Sequence, residues 1–346
     1  MKNITISILI PTYNEEKFIV NSLNSLLNQT IGPARYEILL IDGQSEDKTR
    51  ELALEWSKNH SEINFRLIEN SKKITPAAFN LGLENARGQF ITLFGGHSTV
   101  KKDFLDKISD TFDKHPEVEA CGGVVHTTHS ENSPDAELIA YIWQHPFGVG
   151  RGMRTPEAVQ EGYANAVAKI TYRKDIFQTI GCFDELFVRN QDNDMNYRLL
   201  KNGGKIWLNP EIETTYYSRP TVTKMLKTAF YNSYFHSLFL KKHRVIPGIK
   251  YMIPAAFSLT FIFLFLMALL SLLGFFAFVT LVFVYVTAAV LSSLSFRRKK
   301  PRGFYFKMPL FFFGLHFIYG LGFIVGFLQF FVIKKKQIRS TLVKSR

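Results

Sequence analysis

The sequence predicts an α/β domain followed by membrane helices. Between positions 4 and 94, short apolar runs alternate with helical patterns of about 10–15 residues, which is typical of βαβ units in a mainly parallel sheet. All 29 acidic residues lie at or before Glu213, and no charged residue occurs from Tyr251 to Phe296. The chain therefore divides into an acidic α/β part and a basic, apolar part.

Each predicted element of the first part has a local signal. Ile4–Pro11 is an apolar run with four isoleucines, which predicts a buried strand. Asn14 is expected to cap a helix over residues 15–28. Tyr36–Asp42 is the second predicted strand, and Ser45 is expected to cap the amphipathic helix that follows it.

The next unit repeats this pattern. Phe65–Asn70 is the third predicted strand, Thr75 is expected to cap a helix that runs to Ala86, and Phe90–Phe94 is the fourth strand. Ligands bind at the carboxyl ends of parallel strands, so the polar residues after each strand are the candidate site residues. They are Thr12, Tyr13, Asn14, Glu15, Asp42, Gly43, Gln44, Ser45, Glu46, Asp47, Gly95, Gly96, His97 and Ser98.

Asp42 is the most informative of these residues. A carboxylate at the end of a buried strand can accept hydrogen bonds from a ribose hydroxyl or a base N–H. The alternative is a tight turn at Asp42-Gly43, with Ser45 and Asp47 acting as helix caps. The sequence contains neither GxGxxG nor GxxxxGK[ST], so it lacks the patterns of dinucleotide-binding and P-loop proteins.

The net charge of +13 is distributed unevenly. Residues 1–213 carry 23 basic and 29 acidic side chains, whereas residues 214–346 carry 19 basic and no acidic ones. This split argues against a uniformly basic surface, so no nucleic acid polymer is expected as a partner. Two cysteines are too few for a disulfide scaffold or a four-cysteine zinc site.

The apolar part predicts two or three membrane spans. As one helix, Tyr251–Phe296 would be roughly 69 Å long against about 30 Å of hydrocarbon, so two spans with a turn near Leu273-Gly274 are expected. Met308–Ile333 fits either one tilted span or a re-entrant hairpin. Helices buried in a soluble core are disfavoured by the length of both runs.

Three basic clusters, Lys241–Arg244, Arg297–Arg302 and Lys334–Lys336, bracket these runs. The positive-inside rule places all three on the cytoplasmic side, and a hairpin over 251–296 satisfies the first two. Three full spans would place the last cluster outside. Either the third run is therefore re-entrant, or the last cluster breaks the rule. The glycines that would ease a re-entrant bend are Gly314, Gly320, Gly322 and Gly326.

Four blocks of the sequence resemble a known family. They are ILIPTYNEE at Ile8–Glu16, IDGQSEDKT at Ile41–Thr49, TPAAFNLGLENARG at Thr75–Gly88 and GCFDELFVRNQDNDMNYRL at Gly181–Leu199. In this order they resemble the family 2 inverting glycosyltransferases, and within these the succinoglycan-type glucosyltransferases of exopolysaccharide biosynthesis. The likeness covers roughly residues 4–240.

The resemblance implies a GT-A fold, the Rossmann-like α/β fold of nucleotide-diphospho-sugar transferases, around one mixed sheet. It implies a nucleotide sugar, most often UDP-linked, as donor, and a divalent cation, Mn²⁺ or Mg²⁺, on the diphosphate. Processive members of the family carry a Gln-x-x-Arg-Trp motif that is absent here, so we expect transfer of a single sugar.

Carried over residue by residue, the resemblance assigns a nucleotide pocket at the ends of the first strands. Its residues would be Pro11, Thr12, Tyr13, Glu15, Asp42, Ser45 and Lys73. Within this set, Asp42 would face the base or the ribose.

Asp192 matches the acidic member of the family's Glu-Asp motif and would be the general base. Inversion needs one carboxylate to deprotonate the acceptor hydroxyl. Gln191 stands where the family commonly has Glu, and helix capping is the alternative role for Asp192. Asp194 is expected to be a cap or to support the site from outside, and Arg198 to pair with either acid or contact the diphosphate.

The sequence departs from the family at the metal motif. The family carries a DxD-like motif, often Asp-x-His, after the fourth strand, where this sequence has Gly95 and His97. His97 is therefore the one predicted metal ligand at this place, and an imidazole suits Mn²⁺ better than Mg²⁺. His126 and His129 are further candidates, although isolated histidines are more often structural.

Three explanations for Gly95 remain open. The substrate diphosphate completes a weak metal site, or transfer is metal-independent and helped by a basic residue such as Lys72 or Lys73, or the protein is an inactive homologue. In the last case it would be a nucleotide-binding partner subunit of a polysaccharide assembly complex. A transporter is disfavoured, because His316 is the one ionisable residue besides tyrosines within the apolar runs.

The predicted acceptor is a lipid-linked sugar or a polysaccharide. Aromatic and basic residues at 216–220 and 230–244 precede the first span, and such residues favour the lipid headgroup level. A plain amphipathic linker helix is the alternative.

The predicted organisation has four segments. They are a GT-A domain over 1–220, an amphipathic, basic juxtamembrane segment over 221–250, a membrane region over 251–333 and a basic tail over 334–346. No signal peptide precedes the first strand, so we expect a multi-pass protein of the cell membrane whose catalytic domain faces the cytoplasm.

Overall fold

The computed structural model describes residues 4–129, 134–148, 159–218, 221–246, 248–294 and 302–334. Within these ranges a mixed sheet of nine strands carries helices on both faces, and a group of long helices follows it. The predicted α/β fold with C-terminal apolar helices is confirmed. Several predicted features lie outside the described residues, namely positions 219–220, the cluster at 297–301, the tail at 335–346 and the side chain of His129.

The sheet combines a parallel half with a mixed half. In chain order its strands are β1 (Ile6–Thr12), β2 (Tyr36–Asp42), β3 (Asn64–Glu69), β4 (Phe90–Leu93), β5 (Ser98–Val100), β6 (Ala120–His129), β7 (Gly162–Tyr163), β8 (Ala168–Arg173) and β9 (Ile206–Ser218). They lie in the order β3-β2-β1-β4-β8-β6-β9-β5, and β7 pairs with β9. The first four strands are parallel, as predicted, whereas β8 inserts antiparallel between β4 and β6.

Helices cover both faces of this sheet. They are α1 (Ile19–Leu27), α2 (Thr49–Asn59), α3 (Thr75–Asn85), α4 (Phe104–Lys114), α5 (Pro134–Gln144), α6 (Ile176–Ile180) and α7 (Gln191–Lys201). Successive strand residues point to opposite faces. Ile8 and Ile10 of β1 therefore pack with α1, α2 and α4, whereas Leu9 packs with α3, α6 and α7.

The predicted caps at Asn14 and Ser45 are wrong. Phe18 occupies the N-cap position of α1 and Lys48 that of α2, and neither makes a side-chain capping bond. α1 begins four residues and α2 three residues later than predicted, because the polar residues before them bond across to another loop. Similarly, Thr75 is the first residue of α3 rather than its cap.

Four long helices follow the sheet. They are α8 (Val222–His243), α9 (Ile249–Leu270), α10 (Leu272–Leu294) and α11 (Arg302–Phe327), which a π-helical turn extends over Leu328–Val332. α9, α10 and the stretch Tyr305–Val332 are each long and apolar enough to cross a membrane. The break between α9 and α10 falls at Ser271, close to the predicted turn.

The glycines of α11 allow close helix packing, and of the two alternatives left open by the sequence the structure does not show the re-entrant bend over Arg302–Phe327. α11 is one continuous helix from Arg302 to Phe327. A Cβ on Gly322 would meet the carbonyl oxygen of Phe230, and one on Gly326 would lie 2.7 Å from the carbonyl oxygen of Tyr234. Both carbonyls belong to α8, so the two helix backbones run side by side.

α8 connects the α/β domain to the apolar helices. The Thr221 side chain caps it by accepting the N–H of Lys224 over 3.3 Å. One side of α8 packs on α11, and its last turn bonds to Asp194 of α7 through Lys242 and His243. The predicted boundaries at 220, 250 and 333 stay predictions.

Candidate active site

The ends of β1 and β2 form the first part of the site. The two strands pair in parallel with Thr12 opposite Asp42, and the N–H of Gly43 donates to the carbonyl oxygen of Thr12 over 2.8 Å. The Asp42 side chain is fully buried, and Thr12 Oγ1 lies 3.4 Å from Asp42 Oδ1. Two predicted nucleotide-binding residues are therefore direct neighbours, and their role stays a prediction.

Several donors hold the Asp42 carboxylate in place. The N–H and the hydroxyl of Ser45 donate to it over 3.0 and 2.5 Å, and Arg50 Nη1 lies 3.3 Å from Oδ2. Arg50 also lies 3.4 Å from Glu69 at the end of β3. A buried carboxylate with this many donors keeps one orientation.

The loop after β1 is joined to the loop after β2. The N–H of Asn14 donates to Ser45 Oγ over 2.9 Å, and Asn14 Oδ1 accepts the N–H of Glu46 over 2.9 Å. The N–H of Glu15 donates to Thr49 Oγ1 over 2.7 Å. These bonds explain why Asn14 and Ser45 do not cap helices: their polar atoms are used between the loops.

Tyr13 and Lys73 extend this cluster. Lys73 Nζ lies 6.0 Å from the centre of the Tyr13 ring, and Lys73 adopts a left-handed backbone with φ of 57°. A Cβ on Gly43 would lie 3.5 Å from Lys73 Cα and 3.6 Å from the Tyr13 ring. Pro11 is buried in β1 opposite Ile41. The structure therefore brings the seven predicted nucleotide-pocket residues to one edge of the sheet.

The end of β4 adjoins this cluster through His97. Its Nδ1 lies 3.1 Å from Oε1 of Glu15, whose side chain is buried. A Cβ on Gly96 would lie 3.1 Å from Thr12 Cγ2 and 3.3 Å from Glu15 Cγ. The residues at the end of β4 therefore pack directly against those at the end of β1.

Lys169 reaches the place that the family's metal motif would occupy. β8 lies beside β4 with Thr171 opposite Thr92, which brings residue 169 next to the end of β4. A Cβ on Gly95 would lie 3.1 Å from Lys169 Nζ and 3.4 Å from Ser98 Oγ. Sequence reasoning missed this lysine, because it belongs to no motif and only strand pairing brings it there.

The residues at the end of β4 do not fit a protein-held divalent cation. Across the part of the chain that the structure describes, no three His, Cys, Asp or Glu side chains are grouped to hold a metal ion. His97 and Glu15 are bonded to each other, Gly95 offers no ligand, and Lys169 brings positive charge where a cation needs negative ligands. The predicted use of Mn²⁺ or Mg²⁺ through His97 stays a prediction.

Asp192 and Asp194 lie in the first turn of α7 in opposite surroundings. Asp192 is exposed, its Oδ1 accepts the N–H of the next residue over 2.9 Å, and it forms no ion pair with any residue in the described ranges. Asp194 is buried and lies 3.0 Å from Arg198, 2.8 Å from Lys242 and 2.7 Å from His243. The N-cap position of α7 belongs to another residue, so neither acid is the cap.

The two carboxyls also differ in pKa. Protein packed behind the Asp192 side chain removes water and raises the pKa of its carboxyl, although the outer face of the side chain still meets solvent. Burial acts on Asp194 as well, but hydrogen bonds from Lys242 and His243 outweigh it and hold the pKa of Asp194 below its usual range. Of the two acids, Asp192 is therefore the one with the raised pKa and without a described ion pair.

Three other candidates have partners outside the strand-end cluster. They are Arg198, which pairs with Asp194 and donates to the carbonyl of Cys182, Lys72, which pairs with Glu185 at 2.7 Å, and His126, which lies 3.4 Å from Glu213. The predictions that Arg198 or Lys72 contacts a diphosphate gain no support from these positions.

Comparison with known proteins identifies the class. A family model described as glycosyl transferase family 2 matches residues 7–178. The chain is 31% identical over 330 residues to a dolichyl N-acetyl-alpha-D-glucosaminyl phosphate 3-beta-D-2,3-diacetamido-2,3-dideoxy-beta-D-glucuronosyltransferase of Methanococcus voltae, covering 94% of this chain and 97% of that one. The chain belongs to glycosyl transferase family 2 and is a glycosyltransferase, which confirms the sequence-based prediction.

Two further comparisons agree with this class. The succinoglycan biosynthesis protein ExoA of Rhizobium meliloti is 26% identical over 254 residues, covering 72% of this chain and 74% of that protein. The structure is similar to that of the mannosyltransferase PcManGT from Pyrobaculum calidifontis in complex with GDP-Man and Mn²⁺, with a TM-score of 0.56 and 15% identity over 90% of this chain and 85% of that one. At this identity the likeness shows the shared fold, and the predicted GT-A fold is confirmed.

Proposed function

We propose that this protein transfers one sugar, with inversion, from a UDP-linked nucleotide sugar to a lipid-linked sugar at the membrane surface. Asp192 deprotonates the acceptor hydroxyl, which attacks the anomeric carbon from the face opposite the diphosphate. The bond from that carbon to the diphosphate oxygen breaks, and its electron pair leaves with the nucleotide.

The contrast between Asp192 and Asp194 carries this proposal. A general base must reach its substrate and must have a pKa that lets it accept a proton. Asp192 meets both conditions, because it is exposed, has a raised pKa and pairs with no described cation. Asp194, two residues away, meets neither, because three basic side chains surround it.

The cluster around Asp42 supports the nucleotide assignment. The carboxylate is buried and fixed by Ser45, Thr12 and Arg50, at the edge of the sheet where ligands bind in open α/β folds. A fixed acceptor suits the hydroxyls of a ribose or the N–H of a base. Tyr13, beside it, offers a ring on which a base can stack.

The end of β9 supports an acceptor that arrives from the membrane. The ring of Tyr216 lies 4.8 Å from that of His97, and the N–H of Tyr217 donates to the carbonyl of His97 over 3.0 Å. β9 leads within a few residues into α8, which packs on the apolar helix α11. The Methanococcus voltae relative is named for a dolichyl-linked sugar phosphate, which agrees with a lipid-linked acceptor.

We propose membrane anchoring through α9, α10 and α11, with the catalytic domain on the cytoplasmic side. Lys241, Lys242 and Arg244 lie at the end of α8, where the chain approaches α9. Basic residues beside a first span favour the cytoplasmic face. Accessibility of an introduced cysteine in α4, measured with a membrane-impermeant reagent in intact and permeabilised cells, tests this orientation.

The test of the mechanism is Asp192→Asn in the full-length protein in detergent. Release of UDP from a panel of UDP-sugars, with a polyprenyl-phosphate-linked sugar as acceptor, is expected to fall about 10²–10⁴-fold, because the base is lost. UDP binding by titration calorimetry should persist. The matched control is Asp175→Asn, which removes an exposed carboxylate before α6.

Retention of more than about a tenth of the turnover by Asp192→Asn would contradict the role of Asp192 as the base. The anomeric configuration of the product, determined by NMR, tests inversion separately. A product with retained anomeric configuration would exclude the single-displacement mechanism, even if Asp192 proved essential.

A further inference from the structure

The end of β4 presents positive charge at the place where a carboxylate would bind metal. Gly95 has no side chain, and a Cβ built on it would lie 3.1 Å from the ammonium of Lys169. An aspartate at position 95 would therefore pair with this lysine instead of presenting both oxygens to a cation. Gly95 and Lys169 are complementary: the glycine leaves the space that the ammonium needs.

Lys169 is held in this place by its backbone and by a ring. It is the second residue of β8 and has φ of 48°, a left-handed conformation that costs a non-glycine residue free energy and concentrates at functional sites. Its Nζ lies 5.2 Å from the centre of the Phe94 ring, within the range of a cation–π contact. The side chain is half-buried, so less solvent screens its charge than at the open surface.

Ser98 places a hydroxyl beside this ammonium. Ser98 Oγ would lie 3.4 Å from the same Cβ position, is fully buried, and has no hydrogen-bond partner among the described residues. A buried hydroxyl without a partner is costly, so a ligand that accepts its hydrogen bond would gain affinity. An ammonium and a hydroxyl around one small space match the oxygen atoms of a phosphate.

We propose that Lys169 binds the diphosphate of the nucleotide-sugar donor and does there what a divalent cation does in metal-dependent relatives. This inference rests on the proposed function. When the bond from the anomeric carbon to the diphosphate oxygen breaks, that oxygen gains negative charge, and the fixed ammonium stabilises it. Lys169 stays protonated throughout, while the acceptor proton goes to Asp192, so charge and protons balance.

The test measures how much the diphosphate adds to nucleotide affinity without metal. The full-length protein in detergent is titrated with uridine, UMP and UDP in excess EDTA. We expect the wild-type protein to bind UDP at least about tenfold more tightly than uridine, because hydrogen bonds to charged groups contribute on that scale. In Lys169→Ala, the ratio of UDP affinity to uridine affinity should fall below about threefold while uridine affinity stays unchanged. Lys169→Arg should keep most of the wild-type ratio.

Two further variants keep the test decisive if Lys169→Ala folds poorly. Gly95→Asp should lower the ratio of UDP to uridine affinity in EDTA, because the new carboxylate neutralises Lys169. The double variant Gly95→Asp/Lys169→Ala should regain UDP affinity only when Mn²⁺ is added. Lys58→Ala, which removes an exposed ammonium from the last turn of α2, is the matched control and should leave the ratio unchanged.

An unchanged ratio in Lys169→Ala, or a wild-type ratio that requires Mn²⁺, would overturn this inference and leave the proposed function standing. A wild-type protein that binds neither uridine nor UDP, in EDTA or with Mn²⁺, would instead contradict the nucleotide assignment itself, and this inference with it. The two failures are therefore distinguishable in one set of titrations.

Discussion

The ends of β2 and β4 lie at the same edge of the sheet and differ in the kind of group they present. At the end of β2, the buried Asp42 carboxylate gathers donors from Ser45, Thr12 and Arg50. At the end of β4, Gly95 presents no side chain and Lys169 presents an ammonium. One strand end suits the hydroxyl and N–H donors of a nucleoside, and the other suits a negative charge. The nucleoside and the diphosphate of one ligand are therefore expected to contact different strand ends, and each contact can be tested separately.

Among changes at these two strand ends, the largest effect is expected from Asp42→Asn, which changes the nucleoside end alone. The amide keeps the shape but loses the charge that draws these donors together, so affinity should fall about 10–100-fold. The loss should be equal for uridine and UDP in titration calorimetry. A loss confined to UDP would contradict the assignment of Asp42 to the nucleoside. Asp113→Asn, at an exposed site on α4, is the control.

A smaller effect is expected from Ser45→Ala. The variant removes the hydroxyl that donates to Asp42 over 2.5 Å and accepts the N–H of Asn14. Loss of such a bond reduces affinity about 2–10-fold, again equally for uridine and UDP. The control is Ser57→Ala, whose hydroxyl bonds within α2 to Leu54. If Ser45→Ala binds both ligands as the wild type does, the Asp42 carboxylate does not depend on this contact.

The smallest effect is expected from His97→Ala. If the end of β4 stabilises the diphosphate through Lys169, transfer in EDTA should stay within about threefold of wild type, because the variant loses the imidazole's contacts with Glu15 and the Tyr216 ring but keeps Lys169. The sequence alone predicts the opposite, namely transfer that depends on Mn²⁺ and falls when His97 is removed. Assays of both proteins in EDTA and in Mn²⁺ decide between the two expectations.

Local patterns in the sequence were sufficient for most of the fold. β2 spans Tyr36–Asp42 as predicted, because its apolar run is bounded by clear turn residues. The two apolar helices α9 and α10 could be placed from length alone, since no other structure accommodates so long an uncharged run. In these segments the neighbouring residues determine the structure.

Contacts between distant parts of the chain account for what the sequence did not reveal. Asn14 was predicted as a cap because its local context is that of a cap, yet its side chain bonds to the N–H of Glu46. Lys169 comes to Gly95 through the pairing of β8 with β4. Asp194 is distinguished from Asp192 by Lys242 and His243, which lie 48 and 49 residues further along the chain. No local sequence pattern predicts these contacts.

The position of α8 between two neighbours has a practical consequence for purification. Ser233, Tyr234 and Phe235 are buried, and Gly322 and Gly326 of α11 lie against this part of α8. A protein cut before α9 would lack α11 and would expose this surface to water. It would aggregate, because nothing soluble replaces the missing helix. With the membrane anchoring proposed above, we expect the active enzyme to require its apolar helices and a surrounding layer of detergent or lipid.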